Sequence, residues 1–134
     1  MFRLAARLIC SALAAFPSFP VAPQEPTSQR EDIGSGELAF NNFCRTCHVT
    51  KQGDNRLGPH LHNIIGRKAG SLPDYPYSSA LAGADFVWDQ RTLDRFIANP
   101  DEMVPGNKMR PFGGLASPSV RAAVVAYLHS LASQ

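Results

Sequence analysis

Alternating apolar and polar residues, the mark of a half-buried strand, are nearly missing from this 134-residue chain, so a sheet-based fold has little support. Cysteine is scarce. Cys10, Cys44 and Cys47 are the only three, too few for a disulfide scaffold. Charge imbalance is scarce as well: 13 basic residues face 11 acidic ones, and Arg3 and Arg7 account for the whole excess. Without its first segment the chain is near neutral, which removes the electrostatic reason to expect a nucleic-acid partner. Internal repeats are absent, and the length is that of one domain.

The N-terminus carries a different signal. Arg3 and Arg7 precede a run from Leu8 to Phe16 that is almost wholly apolar, and Ala12-Leu13-Ala14 offers a small-x-small cleavage site. Residues 1–22 are read as a secretory signal, with a cut after residue 14 as one reading. The run is short for spanning a bilayer, so no stable membrane insertion is expected, with an uncleaved signal anchor as the alternative. Cys10 is read as an ordinary residue of this apolar stretch. Residues 23–33, rich in Pro, Gln, Glu, Thr and Ser, are expected to form a flexible arm, and residues 34–134 the folded domain.

In that domain stands Cys44-Arg45-Thr46-Cys47-His48. C-x-x-C-H is the attachment signature of a c-type haem: two thiols add across the haem vinyl groups and the following imidazole turns onto the iron. In a chain with 3 Cys and 4 His, the pattern is expected by chance only about 0.002 times. A dithiol redox motif would require a surrounding βαβ pattern, and a zinc site a second ligand pair; neither is present.

Helical periodicity surrounds the motif. Ser35 is the expected N-cap of a first helix with Leu38, Ala39, Phe40, Phe43, Cys44 and Cys47 at helical spacing, running into the motif. A short helix is expected at Ser78 to Leu81. Asp89 caps a third, with Leu93, Phe96 and Ile97 on one face and Pro100 past its end, and Trp88 is placed to pack beneath it. The last helix has Ser117 as N-cap and Pro118 at its first position, with Val120, Val124, Tyr127, Leu128 and Leu131 in one stripe. About a hundred residues of short helices and long loops bury little apolar surface, so a covalent haem would complete the core. For the sixth ligand, Met109 leads: it follows Pro105-Gly106-Asn107-Lys108 in a loop between helices, 61 residues beyond His48. Met103 reads as a packing residue.

The chain resembles the class I cytochromes c, most closely the mitochondrial cytochrome c and bacterial cytochrome c2 type. The resemblance covers about residues 36–131. It rests on the haem motif, Gly58-Pro59-His60-Leu61-His62 with Gly66-Arg67-Lys68-Ala69-Gly70, Tyr77, Trp88, Asn99-Pro100, Pro105-Gly106-Asn107-Lys108-Met109 and Ala126-Tyr127-Leu128. It implies an all-α class I cytochrome c fold, short helices and loops wrapped around one covalently bound haem c. By the same resemblance His48 and Met109 are the iron ligands, Cys44 and Cys47 hold the haem, and the Pro59 carbonyl accepts from the His48 ring. Arg67, Tyr77 and Trp88 would surround a buried propionate, and Gly36 and Phe40 would mark where the first helix crosses the last, beside Tyr127. Three departures stand out: Phe96 where the family often has a tyrosine, Leu81 at a position of a propionate-facing asparagine, and the run Arg110-Pro111-Phe112-Gly113-Gly114, one residue longer before its glycines than the family's usual form.

Other features read more plainly. His60 and His62 are expected to be solvated loop residues, with a surface metal as the alternative, and His129 to lie on the wet side of the last helix. Basic residues (Arg45, Lys51, Arg56, Arg67, Lys68, Lys108, Arg110) are denser near the haem segments, while Asp85, Asp89, Asp94, Asp101 and Glu102 cluster around the third helix. The expectation is a monomeric, periplasmic one-electron carrier, not an enzyme, that serves redox proteins such as a membrane cytochrome complex, an oxidase or a dehydrogenase. The alternative is the haem subunit of a periplasmic oxidising enzyme or a peroxidase-like protein. No candidate acid–base pair flanks the Met109 loop.

Overall fold

A computed structural model describes residues 27–132, with side chains from residue 35 onward; the expected signal segment lies outside the described residues. The elements are α1 (Thr27–Phe43), α2 (Ser79–Ala82), α3 (Gln90–Ala98), α4 (Pro100–Met103) and α5 (Pro118–Leu131). Among the described residues the extended pairing is a single antiparallel bridge, Lys68 with Val87. The fold is all-α, as the missing alternation implied.

α1 begins eight residues before Ser35, which corrects two expectations. Ser35 lies inside the helix instead of capping it, and residues 27–33 are helical where an arm was expected. Beyond Pro26 this stretch has no proline and carries Gln29, Arg30 and Glu31, all good helix formers. Gly34 and Gly36 weaken a helix by roughly 1 kcal/mol each relative to alanine, yet Gly36 is what lets α1 approach α5. A Cβ at Gly36 would collide with the Ala123 carbonyl and sit 2.8 Å from the Tyr127 Cβ. Beside this crossing the Phe40 and Tyr127 rings meet at 5.6 Å. The α1–α5 pair is the most extensive helix contact, followed by α3 on α5.

The buried side of α1 is narrower than its periodicity suggests. Phe40 and Cys44 are buried, whereas Leu38 and Phe43 are 62% and 49% exposed. The approach of α5 through Gly36 selects the Gly36–Phe40–Cys44 stripe, spaced by four, and turns its neighbours outward.

α3 follows the sequence closely. Asp89 caps it, accepting from the Thr92 N–H at 2.7 Å, while the Thr92 hydroxyl accepts from the Asp89 N–H at 2.7 Å. Leu93, Phe96 and Ile97 are buried, and Trp88 meets Phe96 edge-on at 5.1 Å. Ser117 caps α5 with Pro118 at its first turn. Val124, Val125 and Leu128 supply its buried positions; Val125 extends the expected stripe. Arg121 braces the corner, donating to Asp94 at 2.8 Å and to the Leu115 and Ala116 carbonyls at 2.9 and 3.0 Å.

Candidate haem-binding site

α1 ends at Phe43, so Cys44–His48 occupies the turns that follow it and not the helix itself. Helical bonding nevertheless carries through. The Cys44 N–H donates to the Phe40 carbonyl at 2.8 Å, and the Cys47 and His48 N–H groups both return to the Cys44 carbonyl at 3.1 and 2.9 Å. Cys44 and Cys47 form no disulfide. Burial, and secondarily the neighbouring Cys47, push the Cys44 thiol up to about 11, so at neutral pH it is an uncharged S–H group.

The His48 ring is oriented from outside its own turn. Its Nδ1 lies 2.8 Å from the Pro59 carbonyl. A carbonyl only accepts, so the proton is on Nδ1 and the lone pair is on Nε2, the form a metal requires. Burial holds the imidazole below its usual pKa, which keeps it neutral. Gly58 closes the other side: a Cβ there would come within 2.6 and 2.7 Å of the two ring nitrogens. A side chain at 58 would push the ring off its seat. The Gly58 N–H also donates to the Cys47 carbonyl at 2.8 Å, tying the Gly-Pro segment to the motif.

Arg67 lies near Tyr77 and is bonded through its backbone to Trp88, by routes the sequence does not display. The Trp88 N–H donates to the Arg67 carbonyl at 2.8 Å, and the Gly66 N–H to the Trp88 carbonyl at 2.7 Å. Arg67 gives its Nη2 to the His60 carbonyl at 2.8 Å and its Nη1 to that of His62 at 3.4 Å. Burial pulls the guanidinium below its usual pKa while the nearby Tyr77 opposes that. Arg67 Nε and His60 Nδ1 are buried without a hydrogen-bond partner among the described residues. An inward-facing cation with an unspent donor suits a buried carboxylate. The residues present therefore fit a haem with a propionate on this side.

His60 corrects an expectation, being 6% exposed and not solvated. Its backbone N–H is held by Asn55 Oδ1 at 3.0 Å, which draws the ring inward beside Arg67. His62 is half-buried, its ring 6.4 Å from that of His60, and His129 is exposed as expected. Among the described residues no group of three or more His, Cys, Asp or Glu is arranged to hold a metal ion.

Met109 and Met103 are both half-buried and packed against the core cluster. They differ in backbone setting. Met103 ends α4, whereas Met109 is held in its loop by Asn107, whose Oδ1 accepts from the Met109 N–H at 2.8 Å. Reasoning from the sequence assigned no role to Asn55, Asn107 or Arg121. Asparagine two residues before a loop residue often bonds to the backbone there, and that signal was available for Asn107.

Residues 34–132 match the family model described as Cytochrome c. Cytochrome c2 iso-1 of Magnetospirillum molischianum is 45% identical over 94 residues, which cover 69% of this chain and 93% of that protein. Cytochrome c2 iso-2 of Magnetospirillum fulvum is 44% identical over 89 residues, covering 66% and 92%. Among solved structures, cytochrome cH from Methylobacterium extorquens superposes with a TM-score of 0.68 at 37% identity, over 74% of this chain and 98% of its own. The cofactor is one covalently attached c-type haem, and Cys44 and Cys47 stand at the C-x-x-C-H positions of the family. With the matched model covering residues 34–132 around that motif, the chain belongs to the class I cytochromes c, a family of electron carriers.

Proposed function

We propose that this protein is a one-electron carrier whose haem is bound through thioethers at Cys44 and Cys47, with His48 and Met109 as axial ligands. The observation that carries the reading is the His48–Pro59 contact of 2.8 Å, which leaves a neutral, buried imidazole with its lone pair on Nε2. The bound haem supplies reversible one-electron exchange at iron, and methionine ligation raises the potential. The chain's residues do the rest. Cys44 and Cys47 would hold the haem, each S–H adding across a vinyl group. Arg67, with Tyr77 and Trp88 beside it, offsets the charge of a buried propionate. Packed aliphatic and aromatic side chains keep water from the metal.

Phe96, which by the resemblance stands where the family often has a tyrosine, is buried against Trp88 and brings no hydroxyl. An occupied sixth position favours electron transfer over peroxidase-like chemistry. The N-terminal segment supports export to the periplasm, where the protein would act as a monomer on redox proteins: a membrane cytochrome complex, an oxidase or a dehydrogenase. Among the described residues no helix is long and apolar enough to cross a membrane.

Visible and near-infrared spectra of the oxidised and reduced protein test the reading. A covalently retained haem after acid–organic extraction and a near-infrared sulfur–iron band in the ferric form are expected. An extractable haem, or a ferric spectrum without that band, would overturn it.

A further inference from the structure

Asn107 is 5% exposed, an unusual place for a side-chain amide, and it spends nearly all of its hydrogen-bonding capacity. Its Oδ1 accepts from the Met109 N–H at 2.8 Å. Its Nδ2 donates to the Val104 carbonyl and to Asp101 Oδ1, each at 3.0 Å. Its own N–H reaches the Val104 carbonyl at 3.1 Å. On the far side of Met109, Arg110 Nη2 pairs with the other oxygen of the same carboxylate, Asp101 Oδ2, at 2.9 Å. The Arg110 N–H also donates to the Lys108 carbonyl at 2.8 Å, closing a three-residue turn with Met109 at its centre. Both flanks of Met109 are thus tied to one residue of α4. That short helix is itself anchored: Asn99 accepts from the Glu102 N–H at 3.2 Å, and Pro100 is among the most deeply buried side chains.

We propose that Asn107 is a positioning residue for Met109: by fastening the backbone at that residue to α4 it presents the thioether to the iron and sets how readily Met109 yields to an outside ligand. The inference rests on Met109 being the sixth ligand. The Asp101–Arg110 pair is itself 50% and 71% exposed, so as an ion pair it contributes little; its part is to orient the carboxylate toward Asn107. The buried amide matters more, because removing it leaves the Met109 N–H without its acceptor.

Cyanide binding to the ferric holoprotein is the probe. In Asn107→Ala the association rate should rise about tenfold or more, as expected for losing a buried, multiply bonded amide, and the near-infrared sulfur–iron band should weaken. Asp101→Asn keeps an oxygen acceptor for Asn107 and breaks only the exposed ion pair, so its rate should change by less than about threefold. Should Asn107→Ala fold poorly, Asn107→Asp retains the acceptor for Met109 but loses both donors and opposes Asp101; it should accelerate binding by an intermediate factor. Haem content and thermal midpoint are measured on the same samples. Unchanged cyanide rate and band in the Asn107 variants would overturn the inference, even if the midpoint falls, since that pattern means a purely structural role. Failure of the underlying ligation reading looks different: Met109→Ala would then leave the near-infrared band in place. A band lost in Met109→Ala but untouched in the Asn107 variants overturns the positioning role alone.

Discussion

Two methionines of similar burial separate by what holds them. Met103 closes a helix and its N–H returns to the Asn99 carbonyl at 3.2 Å, whereas Met109 is pinned by Asn107 in an irregular loop. Replacing Met109 with alanine should lower the reduction potential by a sizeable part of the roughly 0.8 V range that axial ligands control. On the proposed ligation it should also let ferrous protein bind carbon monoxide, because a soft thioether favours Fe(II) and removing it would open a coordination position. Met103→Ala should leave potential and ligand binding in place and lower only the unfolding midpoint. Redox titration and carbon monoxide difference spectra of both variants decide; the reverse pattern would move the ligand to Met103.

At the scale of elements, the α1–α5 crossing depends on one missing methyl. Gly36→Ala would drive a Cβ into the Ala123 carbonyl and against the Tyr127 Cβ at 2.8 Å, neither of which is the flexible end of a side chain. Overpacking of this kind costs about 1–3 kcal/mol, and each kilocalorie shifts the midpoint of a domain this size by about 4–8 °C. Calorimetry of the holoprotein checks it; an unchanged midpoint would mean that α1 slides to absorb the methyl. The cap of α3 adds a pH dependence. Hydrogen bonds from the Thr92 backbone and side chain hold the Asp89 carboxyl below its ordinary 3.8. A depressed folded-state pKa means that the contribution is complete above 3.8 and disappears as pH falls through the lower folded value. Asp89→Asn keeps a capping oxygen without the charge. Its stability should therefore fall less steeply than the parent's below about pH 4, in acid titrations followed by circular dichroism.

Over the whole molecule, charge is less segregated than the order of residues suggests. Lys68 pairs with Asp85 at 3.5 Å and Arg110 with Asp101 at 2.9 Å, so two of the basic residues near the haem segments meet the acidic set directly. Lys108 and Arg45 are exposed and take part in none of the four ion pairs among the described residues. Lys108, next to Met109, is where a docking charge should register. Lys108→Glu should lower the association rate with an acidic redox partner by about tenfold at low salt, and the difference should shrink as ionic strength rises, because rim charges act on encounter. Stopped-flow electron transfer across a salt series measures this. Rates indifferent to both salt and the substitution would mean apolar docking.

The haem motif, the helical class and both helix caps at Asp89 and Ser117 were readable from residue order alone, because each is written in spacings of three or four residues. Local chemistry suffices there: a C-x-x-C-H turn, a capping oxygen and a proline at a first helical position need no distant partner to be recognised. The outward turn of Leu38 and Phe43, the burial of His60 and the hold of α4 on both flanks of Met109 were not. Each depends on contacts between segments far apart in the chain or on loop geometry. Gly36 finds Ala123 across 87 positions, Trp88 holds Arg67 by its backbone, and α4 holds both flanks of Met109. Periodicity identifies an apolar face, but only the packed neighbour decides how wide that face is and which polar side chains it encloses.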